Sequence, residues 1–160
     1  MRMGRGVEWA AHCCILLDWL GSSEPVPTTK LAAAYELPAA YLNKQLQALV
    51  RAGILTSTSG VGGGFRLARP LAELSMLDIV LAVEGPDEAF RCTEIRQCGV
   101  GASTSPRAFA RPCEIAASMH AAELQWRAAL AEQRLADIRD LAEARVSNLA
   151  ATTRRRFAEL

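Results

Sequence analysis

Apolar residues recur at helical spacing from the start of the chain. Val7, Ala10, Ala11, Cys14, Ile15, Leu17 and Leu20 fall on one stripe and predict an amphipathic helix over residues 6–20. Gly21-Ser22-Ser23-Glu24-Pro25 ends it. Thr28 or Thr29 can cap a second helix running to about Tyr35. Leu37-Pro38 opens a third, because proline is tolerated in a first helical turn. Tyr41, Leu42, Leu46, Leu49 and Val50 form its inner face, and Gly53 is placed to stop it. The pattern then shortens. Ile54–Thr58 and Phe65–Ala68 read as strands, with Gly60-Val61-Gly62-Gly63-Gly64 as the tip between them. Three helices followed by a hairpin is the order of a winged helix-turn-helix. The third helix would enter the major groove of DNA and the hairpin would lie on the backbone or in the minor groove.

Ser75 is placed to cap a fourth helix, with Met76, Leu77, Ile79, Val80 and Val83 apolar, ending at Gly85-Pro86. Residues 86–112 lose all periodicity and contain Gly99, Gly101, Pro106 and Pro112. A connection this long is usually functional or disordered, and cysteines at both ends favour function. Helical patterning returns over Glu114–Glu132, with Ile115, Met119, Ala122, Leu124, Trp126 and Leu130, and again over Leu135–Val146. Apolar helices outside a small domain need a partner, so these predict a dimer interface. The organisation predicted is a DNA-binding domain over 1–85, a cysteine-bracketed functional loop over 86–113, dimerisation helices over 114–146 and a flexible basic tail over 147–160. The fold class is mainly α with a small β-hairpin wing, extended by a long C-terminal dimerisation helix. Arg154-Arg155-Arg156 reads either as a DNA contact or as a solvated helix end.

Composition narrows the function. The chain is 51% hydrophobic and 22% charged, enough to bury a core. No uncharged apolar stretch is long enough to span a membrane, and Glu8 and His12 interrupt the one apolar run near the N-terminus, so a cytoplasmic location is expected. Residues 1–70 hold seven Lys/Arg against four Asp/Glu, a net of +3 within an overall +1. The basic bias therefore lies in the half with the helix-turn-helix pattern. No nucleophile–base motif or phosphate loop is present, and there are two histidines, so no enzyme is predicted. Five cysteines (Cys13, Cys14, Cys92, Cys98 and Cys113) make an odd set, which favours metal ligation or redox sensing over a disulfide framework.

Several segments carry a family resemblance. They are Tyr41-Leu42, Leu46, Leu49 and Arg51-Ala52-Gly53-Ile54-Leu55. They continue with Gly62-Gly63-Gly64-Phe65-Arg66-Leu67-Ala68-Arg69, Asp78-Ile79-Val80 and Ala82-Val83-Glu84-Gly85. Together they resemble the Rrf2 family of winged-helix iron–sulfur transcription regulators, of IscR and NsrR type. Gly6-Val7-Glu8-Trp9-Ala10-Ala11-His12-Cys13-Cys14 and Phe90-Arg91-Cys92-Thr93-Glu94-Ile95-Arg96-Gln97 are similar to its redox sensors of RsrR type. The resemblance implies a homodimeric repressor of an operator duplex. It also implies a 2Fe–2S cluster at each subunit interface, bound by Glu8 and His12 from one subunit and Cys92 and Cys113 from the other. It implies further that Trp9 responds to the cluster's state; a core or interface aromatic is the other reading of Trp9.

The residue chemistry agrees. Glu8 and His12 stand one helical turn apart on one face. Thiolates can complete the coordination of a two-iron cluster, and His and carboxylate donors make its affinity and potential pH-dependent. From the four residues alone, a surface Glu–His pair with two unrelated thiols fits equally well. Cys98 is a rival ligand, because it keeps the family's first cysteine interval while position 104 is Thr. The competing set is Cys92, Cys98 and Cys113 with His12 or Glu8. A further alternative is zinc, or no metal with thiol oxidation at Cys13-Cys14 and Cys98. For DNA, the expected contacts are Ala40, Tyr41, Asn43, Lys44 and Gln45 on the exposed side of the third helix. Thr29 at a helix start and Gly62, Gly63 and Arg66 in the wing complete the set. Ser59 stands where family wings often carry arginine.

Overall fold

The computed structural model describes residues 3–102 and 105–160. Arg2, counted in the N-terminal charge, and Thr104, which stands where the family carries a third loop cysteine, lie outside the described residues. The chain divides into two compact units, one of Asp87–Ala129 and one formed by the segments up to Pro86 and from Leu130.

In the larger unit, helix α1 spans Arg5–Leu20 and stops at Gly21, whose φ of 56° is left-handed. Its Val7, Ala10, Cys13, Cys14, Ile15 and Leu16 are buried. Helix α2 (Thr28–Ala34) and helix α3 (Ala39–Arg51) follow. Leu42, Leu46 and Leu49 on α3 are fully buried, each worth roughly 2–3 kcal/mol of apolar transfer. Tyr41 leaves the inner face assigned to it and is half-exposed, and Gln45 takes an inner position. Neither Thr28 nor Thr29 caps α2. Pro27 holds the N-cap position without a side-chain bond.

Strands β1 (Leu55–Thr58) and β2 (Gly64–Leu67) pair antiparallel with Leu55 opposite Leu67 and Thr58 opposite Gly64. Val26 adds a bridge to Phe65, with both N–H groups donating across 2.9 Å. A Cβ on Gly64 would lie 2.3 Å from the Val26 carbonyl, so this crossing requires glycine. Helix α4 (Met76–Glu84) begins at a capping box: the Asp78 N–H donates to Ser75 Oγ over 3.2 Å, and the Ser75 N–H donates to the Asp78 carboxylate over 2.7 Å.

The C-terminal part corrects one expectation. Helix α6 (Leu135–Arg145) packs with part of its surface on its own chain. Leu135 is fully buried and its N–H donates to Leu74 O over 2.9 Å, while Arg139 pairs with Asp18 of α1 at 2.7 Å. Residues 147–160, expected as a flexible tail, form helix α7 (Leu149–Ala158). Arg154 anchors it by donating to the Trp19 carbonyl over 2.9 Å. The sequence missed this because α7 carries few large apolar residues. It buries none of its residues, and the Arg154 guanidinium supplies its hydrogen bond to α1.

In the smaller unit, the loop after α4 contains short 3-10 turns at Ile95–Gln97, Gly99–Gly101 and Pro106–Phe109. Helix α5 spans Glu114–Glu132, within the bounds predicted, and buries none of its residues.

Candidate functional site

Glu8 and His12 sit one turn apart on α1, both exposed, between buried Val7 and Ala11. They line an open groove of about 540 Å³ with Met76, Leu135 and Ile138. His12 is held from behind. The Tyr35 hydroxyl donates to the His12 carbonyl over 3.2 Å, and the two rings lie tilted with centroids 5.7 Å apart. Burial raises the Tyr35 phenol above its ordinary range, so it remains a neutral donor.

Trp9, half-buried beside Glu8, meets Tyr41 of α3 edge-on, with centroids 5.3 Å apart and planes at 77°. Gly6 lies against the Gln45 side chain, where a Cβ would come within 2.8 Å. The turn of α1 that bears Glu8 is therefore in direct contact with α3 at two points. Gln45 corrects an expectation here. It is only 6% exposed, because the absent side chain of Gly6 leaves room for it, and it is not on the outer face of α3.

The other DNA candidates are accessible. Ala40, Tyr41, Asn43 and Lys44 are exposed on α3, and Thr29 is exposed at the start of α2. The Thr28 hydroxyl donates to Asn43 Oδ1 over 3.4 Å, tying the start of α2 to α3. In the wing, Gly62 is exposed with φ 77° and Gly63 packs closely on the Thr58 carbonyl. Arg66 is exposed and donates to the Ser23 carbonyl over 2.8 Å.

Cys92 and Cys98 are exposed and Cys113 is buried, all in the smaller unit. The Glu94 N–H donates to Cys92 Sγ over 3.4 Å. Arg96 organises this loop. It grips Glu94 with two nitrogens at 2.5 and 3.0 Å, donates to the Arg111 carbonyl over 3.0 Å and reaches Glu114 at 3.4 Å. It also lies over the Phe109 ring at 5.5 Å. Glu94 first, then Cys113 and Glu114, hold the guanidinium firmly charged. Gly101 lets the chain pass the Arg96 carbonyl where a Cβ would collide at 1.7 Å. Sequence reading missed Arg96. The acids at 94 and 114 were its only signal.

Among the described residues, this chain brings no three His, Cys, Asp or Glu side chains together as a metal site. Cys13 and Cys14 are buried in the core, and burial pushes the Cys13 thiol up to about 12 and the Cys14 thiol higher still. They are not placed to be the reactive pair of a thiol sensor.

Residues 3–140 match the family model described as Rrf2, iron-dependent transcriptional regulator. The chain belongs to the Rrf2 family. Its relatives are transcriptional regulators. The HTH-type regulator YffB of Lactococcus lactis is 28% identical over 140 residues, 88% of each chain. The HTH-type regulator Rv1287 of Mycobacterium tuberculosis is 33% identical over 101 residues, 63% of this chain and 60% of that one. The fold matches two solved Rrf2-like structures. IscR of T. potens superposes with TM-score 0.64 at 18% identity, covering 92% of this chain and 93% of that one. CymR, the global cysteine regulator of B. subtilis, gives 0.59 at 17% identity, covering 88% and 98%. The winged-helix architecture of this Rrf2 regulator is thus shared along nearly its whole length. No helix among the described residues is long and apolar enough to cross a membrane.

Proposed function

We propose that this Rrf2-family regulator binds an operator duplex as a homodimer and represses transcription. We assign its redox sensing to a 2Fe–2S cluster at the subunit interface, held by Glu8 and His12 of one subunit and Cys92 and Cys113 of the other. The observation that carries this is the pair on α1: a carboxylate and an imidazole, one turn apart, exposed, and backed by a tyrosine that fixes the histidine's main chain. The donor set fits such a cluster. Two thiols and an imidazole are known ligand types, and Cys113 lies close to the Arg96 guanidinium.

When bound, such a cluster supplies a one-electron redox change. The chain's own residues supply the readout. Trp9 rests on Tyr41 and Gly6 on Gln45, so a displacement of α1 at Glu8 is passed to α3, the helix expected to read bases. Two such helices in a dimer must match half-sites about one helical turn apart. A small shift of each therefore weakens binding steeply.

Anaerobic purification followed by absorbance and iron and sulfide analysis tests the cofactor. The expected result is a brown protein with roughly two irons and two sulfides per chain. Glu8→Ala and Cys113→Ala should each lose most of that colour. Either variant keeping a normal spectrum and DNA response would defeat the ligand assignment, and a colourless zinc protein would defeat the cofactor. A second reading, thiol oxidation without a cluster, is favoured by the exposure of Cys92 and Cys98. It predicts a colourless protein whose DNA affinity changes with peroxide.

A further inference from the structure

Helix α7 carries charge that the fold does not use. Arg154 is spent on the Trp19 carbonyl, which pins α7 against the C-terminal turn of α1. Pinned there, Arg156 and Phe157 line a groove of about 490 Å³ whose facing wall includes Ala33, Ala34 and Tyr35 at the end of α2. Lys30, one turn before Ala34, holds its ammonium 5.8 Å over the Phe157 ring. Lys30 is thereby brought to the ring of α7 beside which Arg156 lines the groove, with Arg155 exposed on the same turn. Among the described residues, no carboxylate pairs with Lys30, Arg155 or Arg156. Glu143 of α6 accepts from Trp19 Nε1 over 2.6 Å. Glu36 and Glu159, at the ends of α2 and α7, are exposed.

Cations gathered without counter-charges suit a polyanion. Their position says which one. In a helix-turn-helix the first helix of the pair crosses the DNA backbone while the second enters the major groove. Here the first is α2, joined at its start to α3 by the Thr28–Asn43 bond, and Lys30 follows directly after Thr29. We infer that Lys30 and Arg156, with Arg155 beside them, form an auxiliary phosphate clamp that extends the DNA interface onto the C-terminal helix. This rests on the DNA-binding reading above and adds a helix to it. The contacts are to backbone, so they raise affinity without reading sequence.

The test compares the full-length protein with Lys30→Gln/Arg156→Gln. Binding to a 40-base-pair duplex from its own promoter and to a mixed-sequence duplex of the same length is followed by fluorescence anisotropy across salt concentrations. Each lost phosphate contact flattens the plot of log affinity against log salt by about one unit. The double variant loses two contacts per subunit and should therefore be flatter by about four units per dimer, to the same extent on both duplexes. Lys30→Arg/Arg156→Lys, which keeps both charges, should restore the wild-type slope, and an unchanged circular dichroism spectrum shows that α7 is still folded. If the wild-type and Gln variants share slope and affinity, the clamp is overturned, and the patch is a solvated face or serves another protein. If the wild-type protein binds neither duplex, the DNA reading falls and takes the clamp with it.

Discussion

Cys13 and Cys14 sit in the middle of α1, with relative exposures of 0%. Desolvation raises both thiols, Cys13 to about 12, so at pH 8 only about one Cys13 side chain in ten thousand is a thiolate. Brief maleimide labelling of the folded apoprotein at pH 8, read by mass spectrometry, should therefore modify Cys92 and Cys98 and leave Cys13 and Cys14 untouched until denaturant is added. Labelling of Cys13 at the rate of Cys98 would contradict the burial. The same shift has a consequence for stability. The folded state keeps these thiols protonated more strongly than the unfolded chain does. Their contribution is complete below pH 9 and is lost as the pH rises toward about 12. The sequence showed the thiols on an apolar stripe, but a cysteine's role depends on solvent access, which residue spacing does not give. Gln45 teaches the same lesson from the polar side. Helical periodicity ranked it outward with Lys44, and only the bare Cα of Gly6 on another helix explains why it turns in.

At the scale of elements, α1–α6, the hairpin and the Ser75 cap were legible because each has local chemistry: apolar period, glycine tip, capping box. The loop after α4 was legible only as a gap. Its order comes from Arg96, whose partners lie up to eighteen residues away in sequence at Glu114. Such long-range pairing leaves no periodic trace. Arg96→Gln should therefore loosen this loop while leaving α1–α4 intact. Thermolysin cleavage of the apoprotein near Ile95 and Val100 should speed up several-fold, with the circular dichroism spectrum nearly unchanged. An unaltered cleavage rate would mean that Phe109 packing and the short turns hold the loop without the guanidinium. Because Cys113 adjoins Arg96, the same variant is expected to bind iron less well, so a loosened loop and a lost colour should appear together.

At the scale of the whole molecule, the sequence assigns both C-terminal helical segments to association, and of the two α5 is the one without a buried residue. Helix α6 spends Leu135 and Arg139 on its own chain, and α7 closes against α1. Helix α5 is different: Ile115 and Met119, one turn apart on one face, are 67% and 43% exposed. A stripe of this kind on a helix without buried residues is costly to leave in water, and a second copy of the same helix can cover it symmetrically. Periodicity could not separate α5 from α6, since both show an apolar face and differ only in what lies against it. If this face of α5 is the dimer contact, Met119→Glu should leave the helical content unchanged and shift sedimentation toward the monomer. An anchor residue at the middle of an interface is worth about 2 kcal/mol, so dimer affinity should fall by a factor of about thirty. Operator binding should weaken with it, since two half-sites are gripped cooperatively only by a dimer. A Met119→Glu protein that sediments as wild type would remove this face of α5 from the interface. It would also return the pairing of Glu8 and His12 with thiols of a second chain to an open question.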